Sequence, residues 1–342
     1  MHPLEIMLHI GLMSFVLGFS KKTKPLIYNA PKRVNKEKIY ISILIPIFNE
    51  GKNIEKLLCT LYSCLHDAEI IFINDSSTDN SLELLEEYKE TYNYKIVTIE
   101  KQNIVADVLN EGLKYVSPNS NYIGVLNGDC HVEKDWYEKV HSFLKNHDVA
   151  CLKMANFSQQ TTINNLPQYL AFLEKNYKRY MFTYEEAFLS NGYFIARKYL
   201  DRWKTITEDM NLSLQLKSKG VQIYQHPLIR IYDALPNTWN LYLRQKYRWM
   251  YGDIVNRCIF PPQNIFAVLI SVYYFFPCLV LLTGFKFSLL NRIQASILCA
   301  ESVIHYVSTD YKNLYLSLFY ASSQYLFSQF FYVTLPFKKI TW

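Results

Sequence analysis

The sequence predicts an α/β domain built on a largely parallel sheet, followed by membrane-associated helices. Three observations lead there. Between 40 and 154, short apolar runs alternate with segments whose apolar residues recur at helical spacing. Asn49, Asp75 and Asp129 each fall just after one of those runs, where the strand ends of such a sheet form a ligand crevice. Past 264 the chain enters long stretches almost without charge.

A chain of 342 residues suggests one α/β domain of roughly 200–250 residues plus something else. The net charge of +6 is modest. Lys and Arg gather at Lys21-Lys22-Thr23-Lys24, Pro31-Lys32-Arg33 and Lys338-Lys339, beside apolar segments, as on the cytoplasmic flanks of membrane helices. Those clusters are too short and terminal for a nucleic-acid stripe, so no nucleic-acid partner is expected. The seven cysteines are scattered, with no C-x-x-C pair and no zinc-spaced histidines. Their odd number argues against a disulfide framework and places the soluble part on a reducing, cytoplasmic side.

Residues 1–20 hold an apolar but short segment that carries Glu5 and His9. It reads as an N-terminal anchor with Lys21 to Lys24 in the cytoplasm, or as a helix lying on the membrane surface. Residues 21–38 form a polar, basic linker. Strands are expected at 40–46, 69–73, 94–99, 122–126 and 149–154, with helices at 53–64, 81–92, 105–116 and 135–146. Asp79 or Thr78 caps the second of these helices. A further helix at 208–219 is ended by Gly220, and a short strand follows at 221–225. These elements make up a cytoplasmic domain spanning 39–237. The stretch 239–258, dense in Trp, Tyr and Arg, reads as an interface helix within 238–262. In 263–337, the runs 265–285 and 314–335 are each about 20 residues long, enough to span a bilayer. Between them, 287–307 is apolar but interrupted, either a third span or an interfacial helix. Two spans return the tail to the cytoplasm, and three place it outside. The chain is therefore expected to be an integral protein of the cell membrane.

Five segments recur in a telling order: Ile-Pro-Ile-Phe-Asn-Glu at 45–50, Asn-Asp-Ser-Ser-Thr-Asp at 74–79, Asn-Gly-Asp at 127–129, Thr-Glu-Asp at 207–209 and Q-x-x-R-W at 245–249. This order resembles the membrane-embedded family 2 glycosyltransferases of the cellulose, chitin and hyaluronan synthase type. The resemblance implies a GT-A-type, Rossmann-like domain. Its partners would be a nucleotide-diphosphate sugar, a glycan or lipid-linked acceptor, and the lipid bilayer. A divalent metal, Mg or Mn, would be the cofactor. Few spans imply that any continuous polymer channel needs a homo- or hetero-oligomer.

By that resemblance, Pro46, Asn49 and Glu50 form the nucleotide-binding turn. Asn74 and Asp75 meet the base, and Asn127 and Asp129 stand at the D-x-D position, with Asp129 a direct metal ligand. His131 is an alternative ligand, since imidazole suits manganese better than magnesium; otherwise it is a loop histidine. Asn191 and Gly192 form the acceptor-side turn. Asp209 is the general base and Glu208 its neighbour; without the downstream motif the same residues would read as a capping box. On one helix face, Arg248 pairs with the diphosphate, Trp249 stacks on the acceptor and Gln245 binds a hydroxyl. The sequence departs from the family pattern at Asn74, at Asn127 and before the 105–113 helix, where no Lys occurs. The expected function is inverting transfer of a sugar to a polysaccharide or lipid-linked acceptor. The alternative is a catalytically silent scaffold or nucleotide-sugar-binding regulatory subunit.

Overall fold

β1 (Ile41–Ile47) is buried along its whole length, which explains why it is apolar but for Ser42. Its side chains alternate between two cores. Ile41, Ile43, Ile45 and Ile47 enter one, and Leu44 enters the other. Ser42, a buried hydroxyl in this strand, bonds to Glu69 and Ser120. The structure is a computed structural model that describes residues 30–34, 38–65, 67–159, 162–181 and 189–260. The expected anchor at 1–20 and spans at 263–337 lie outside the described residues.

Around β1 lie β2 (Ala68–Asp75), β3 (Lys95–Ile99), β4 (Tyr122–Val125), β5 (His131–Val132), β6 (Cys151–Ser158), β7 (Tyr193–Ala196) and β8 (Ile223–Asp233). They form one sheet of order β3-β2-β1-β4-β7-β6-β8-β5. The helices with them are α1 (Gly51–Tyr62), α2 (Ser81–Tyr88), α3 (Val105–Leu113), α4 (Trp136–Asn146) and α6 (Glu208–Ser218). α1, α2 and α4 cover one face through Leu57, Leu61, Leu85, Trp136 and Phe143. α3 and α6 cover the other through Val108, Leu109, Leu212 and Leu216. The helix-covered α/β layering matches the expectation.

The sheet is mixed, which corrects the expectation of a largely parallel one. β1, β2, β3 and β4 run parallel, but β7 runs antiparallel to both β4 and β6, and β5 runs antiparallel to β8. β7 has four residues and β5 two, too short for a periodic signal. β8 extends to Asp233, not to Gln225, carrying Pro227 within it. The strand tolerates this residue because its pairing with β6 shifts register between Met154 and Ala155.

The described residues divide into two compact units. The sheet unit lies within Lys24–Ile163 and Phe182–Leu235. The helical unit contains α5 (Leu166–Met181), which sequence reading did not find, and α7 (Trp239–Ile259). α5 and α7 pack on each other, and the Asn165 side chain donates to the Asn237 carbonyl at 2.9 Å. Thr238 caps α7 by accepting from the Leu241 N–H. Exposed Trp239, Leu241, Tyr251 and Ile259 are not confined to one stripe of α7 at its 3.6-residue period. Among the described residues no helix is long and apolar enough to cross a membrane.

Candidate active site

The parallel register of β1, β2 and β3 pairs Ile47 with Asn74 and Asp75 with Ile99, so three strands end at one edge of the sheet. β4 runs parallel to β1 and delivers Asn127-Gly128-Asp129 to that same edge. Antiparallel β7 starts there, so Asn191-Gly192 arrives beside that turn.

The first two turns are joined. Asn49 holds φ at 56°, a left-handed conformation that Asn tolerates better than most residues. Its side-chain oxygen accepts from the N–H groups of Thr78 at 2.8 Å and Asp79 at 3.3 Å, and its own N–H donates to Ser77. Asn49 thus ties the turn after β1 to the turn after β2. Asp79 accepts from the N–H groups of Gly51 and Ser81, both at 3.0 Å, and so ties together the first residues of α1 and α2. The N-cap of α2 is Asn80, with no side-chain capping bond, which corrects the cap expected at Asp79 or Thr78.

Asn74 and Asp75 are almost fully buried. The Asp75 carboxylate accepts from the Asn103 N–H at 3.1 and 3.2 Å, and burial holds its pKa above the usual carboxylate value. Asn103 went unnoticed in the sequence because it lies in a loop with no motif of its own.

Gly128 packs directly on the first turn. A Cβ there would lie 2.5 Å from Ile47 Cδ1 and 3.2 Å from both Glu50 Cγ and the Pro46 carbonyl oxygen. The Glu50 carboxyl is pushed up to about 7, by burial first and then by the charges of Asp129 and Asp79, against a hydrogen bond from Asn53. A raised carboxyl pKa means that the ionised form is penalised in the fold. The penalty is complete above about pH 7, shrinks as pH falls toward 4.5, and is absent below that. Glu50→Gln should therefore stabilise the ligand-free protein at pH 8, by at most about 3 kcal/mol, and be nearly neutral at pH 4.5. Chemical denaturation of both proteins at the two pH values checks this. Equal stability at pH 8 would show that Glu50 carries no such penalty.

A ring of hydrogen bonds encloses the 127–130 turn. The Gln159 side chain donates to the Asp129 carbonyl at 2.7 Å, and its main-chain N–H donates to the Asp233 carbonyl at 3.0 Å. Asn191 Nδ2 donates to Cys130 Sγ at 2.8 Å and Asp233 Oδ2 at 3.3 Å, while its oxygen accepts from the Asn127 N–H at 3.3 Å. Gln159 and Asp233 lie past the ends expected for their strands, which is why sequence reading missed them. The His131 ring stacks on Tyr232, with centroids 5.2 Å apart. Burial, then Lys56, push its pKa down to about 4, so it is neutral at pH 7. Its Nδ1 is buried without a hydrogen-bond partner among the described residues. Among those residues no three His, Cys, Asp or Glu side chains gather as a metal cage.

α6 begins with Glu208 and Asp209 in its first turn. Asp209 Oδ1 accepts from the Met210 N–H at 2.7 Å, and Thr207 makes no side-chain cap. Both carboxylates lie near the buried Tyr193 phenol. Its pKa stands well above the usual value through burial first, then Glu208, with Asp209 adding to the rise. Gln245, Arg248 and Trp249 lie on α7 in the helical unit, at i, i+3 and i+4, each partly buried. Within that unit, buried Lys246 sits 5.0 Å from the Tyr242 ring centroid and 4.6 Å from that of Trp249.

Residues 42–203 match the Glycosyl transferase family 2 model. The chain is 28% identical over 229 residues to a poly-beta-1,6-N-acetyl-D-glucosamine synthase of Staphylococcus aureus (strain COL), covering 62% of this chain and 54% of that protein. The same-named protein of Staphylococcus epidermidis matches to the same extent. The chain thus spans about half the length of the curated relatives it matches. Among solved structures, it is similar to a mannosyltransferase from Pyrobaculum calidifontis in complex with GDP-Man and Mn2+. The TM-score is 0.55 at 14% identity, over 94% of this chain and 99% of the other. That likeness shows a shared fold. Residues 42–203 are a family 2 glycosyltransferase domain.

Proposed function

We propose that this chain moves a sugar, with inversion, from a nucleotide-diphosphate sugar to a polysaccharide or lipid-linked acceptor at a membrane. The observation that carries the reading is the convergence of Asp75, Asn127-Gly128-Asp129 and Asn191-Gly192 on one sheet edge of a family 2 domain. Buried Asp75, held by Asn103, accepts from a base N–H. Asn74 adds hydrogen bonding without charge. Pro46 and Glu50 floor the diphosphate end through their packing on Gly128. Asp209, at a helix N-terminus that favours the anion, takes the acceptor's hydroxyl proton, with Glu208 beside it. Asn191 and Gly192 border the acceptor. In the helical unit, Arg248 meets the departing diphosphate, and Gln245 and Trp249 meet the acceptor.

A divalent cation fits the residues present. Asp129 raises a neighbouring carboxyl through its charge, and the neutral His131 offers an orphaned buried Nδ1. Asp129 would hold the ion with His131, and donor oxygens would complete its shell. The ion would supply charge neutralisation for the departing diphosphate. The solved mannosyltransferase complex with GDP-Man and Mn2+ supports this reading. The uncharged runs within 263–337 and the basic clusters beside them support the integral membrane setting, with the sheet unit on the cytoplasmic side.

The test is release of nucleoside diphosphate from a panel of sugar nucleotides, with Mn2+ or Mg2+ and candidate acceptors, together with Mn2+ titration in the presence of nucleoside diphosphate. The wild-type chain should turn over at least one donor. Asp129→Asn should weaken Mn2+ by at least the ~10–100-fold that even outer-shell partners contribute. Donor binding without any turnover would instead support a regulatory subunit, with Asn74 and Asn127 as its cause.

A further inference from the structure

The helix motif at 105–113 contains Asn110, a residue given no task by the functional reading above. Its carboxamide makes a reciprocal pair with the main chain of Trp203, 93 residues away: Nδ2 donates to the Trp203 carbonyl at 2.9 Å, and Oδ1 accepts from the Trp203 N–H at 3.0 Å. Two bonds to one residue fix its position and its peptide orientation. The Trp203 side chain is held as well. It is 1% exposed, and its indole N–H donates to the Tyr193 hydroxyl at 2.6 Å. Tyr193 opens β7 at the center of the sheet, so Trp203 is fastened to α3 on one side and to the sheet on the other.

Between Trp203 and α6 stands Thr205, with φ at 64°. A β-branched residue rarely adopts this conformation, and it persists only where the surroundings enforce it. Thr207 is the residue just before α6, and Glu208 and Asp209 lie beside the same Tyr193 that receives the indole bond. The segment 203–207 thus runs from a doubly anchored residue, through a strained one, into the helical turn that bears the two carboxylates.

We propose that Asn110 and Tyr193 are positioning residues that act through Trp203 to aim the first turn of α6, and so Asp209, at the acceptor hydroxyl. The proposal rests on the assignment of Asp209 as base. It makes the strap 203–207 a device for the chemical step and not for donor binding, which the proposed function assigns to Asp75 and the 127–129 turn. A base held out of line slows proton removal even when both substrates bind normally.

The experiment compares full-length wild type, Asn110→Ala, Tyr193→Phe, their double variant and Asp209→Asn. It measures kcat with the donor that the wild type uses, and the Kd of the matching nucleoside diphosphate. Each single strap variant should lower kcat about tenfold with Kd within about twofold of wild type. The double variant should lose little more than the worse single one, because both anchors act on Trp203. A kcat within twofold of wild type in either variant, or kcat and donor affinity falling together, would overturn the proposal. Should Asn110→Ala fail to fold, Tyr193→Phe, which removes a single oxygen, decides alone. Turnover retained by Asp209→Asn while the strap variants are slow would sink the base assignment, and with it the strap's target. Absence of wild-type turnover would remove both.

Discussion

Asp209→Asn is expected to lower kcat by about 10²- to 10⁴-fold while leaving donor affinity nearly unchanged. Asn matches Asp in shape and keeps an oxygen to accept from the Met210 N–H, so the first turn of α6 should keep its geometry. On the proposed assignment, what it loses is the ability to take a proton from the acceptor hydroxyl. It also loses the negative charge that the helix N-terminus favours, a small term for stability of about 0.3–1 kcal/mol. The two losses separate in experiment. Thermal midpoint and nucleoside-diphosphate Kd should stay close to wild type, while the rate of sugar transfer collapses. A kcat reduced by less than tenfold would assign proton removal elsewhere, and Glu208 in the same turn would be the next residue to test.

The sequence revealed the parallel half of the sheet because burial on both faces makes its strands continuous apolar runs. β1 and most of β2 are buried in this way, and both were located to within a residue or two. β7 and β5 were invisible for the opposite reason, having too few residues to show a period. β8 was read short because Pro227 looks like a stop until its neighbour's register shift is known. The places of Asp75, Asp129 and Asp209 in the fold could be read because Asp75 ends a strand, Asp129 follows one and Asp209 lies in the first turn of a helix. Their supports could not. Asn103, Gln159 and Asp233 are ordinary polar residues until the topology brings them to the same edge. Asn49 shows the reverse case: its motif suggests ligand contact, but its side-chain oxygen serves the joint between two turns. The pairing of Asn110 with Trp203 spans 93 residues, and no local pattern announces it.

Gly192→Ala is expected to destabilise the protein by about 2–5 kcal/mol, the largest stability change among the substitutions considered. Two penalties combine. Gly192 holds φ at +81°, where an L side chain costs roughly 1–2 kcal/mol. The new methyl would also lie 2.4 Å from Ile231 Cδ1 and 3.0 Å from Met154 Cε, both in side chains with no exposed surface. Met154 can change rotamer, but Ile231 is β-branched and stiff, so overpacking adds about 1–3 kcal/mol. For a domain of this size each kcal/mol lowers the midpoint by about 2–4 °C, so a loss of about 4–20 °C should appear in thermal denaturation. The strain should also reach the site. Gly192 follows Asn191, whose carboxamide joins Asn127, Cys130 and Asp233, and its carbonyl accepts from the Met154 N–H at 3.1 Å. Relief of the clash by moving this turn must shift Asn191 relative to the 127–130 turn. Donor affinity should therefore fall together with stability, in contrast to Asp209→Asn. A midpoint within 2 °C of wild type would mean that Ile231 and the turn relax freely. In that case Asn191 could not be the rigid link between β7 and the 127–130 turn that its hydrogen bonds describe.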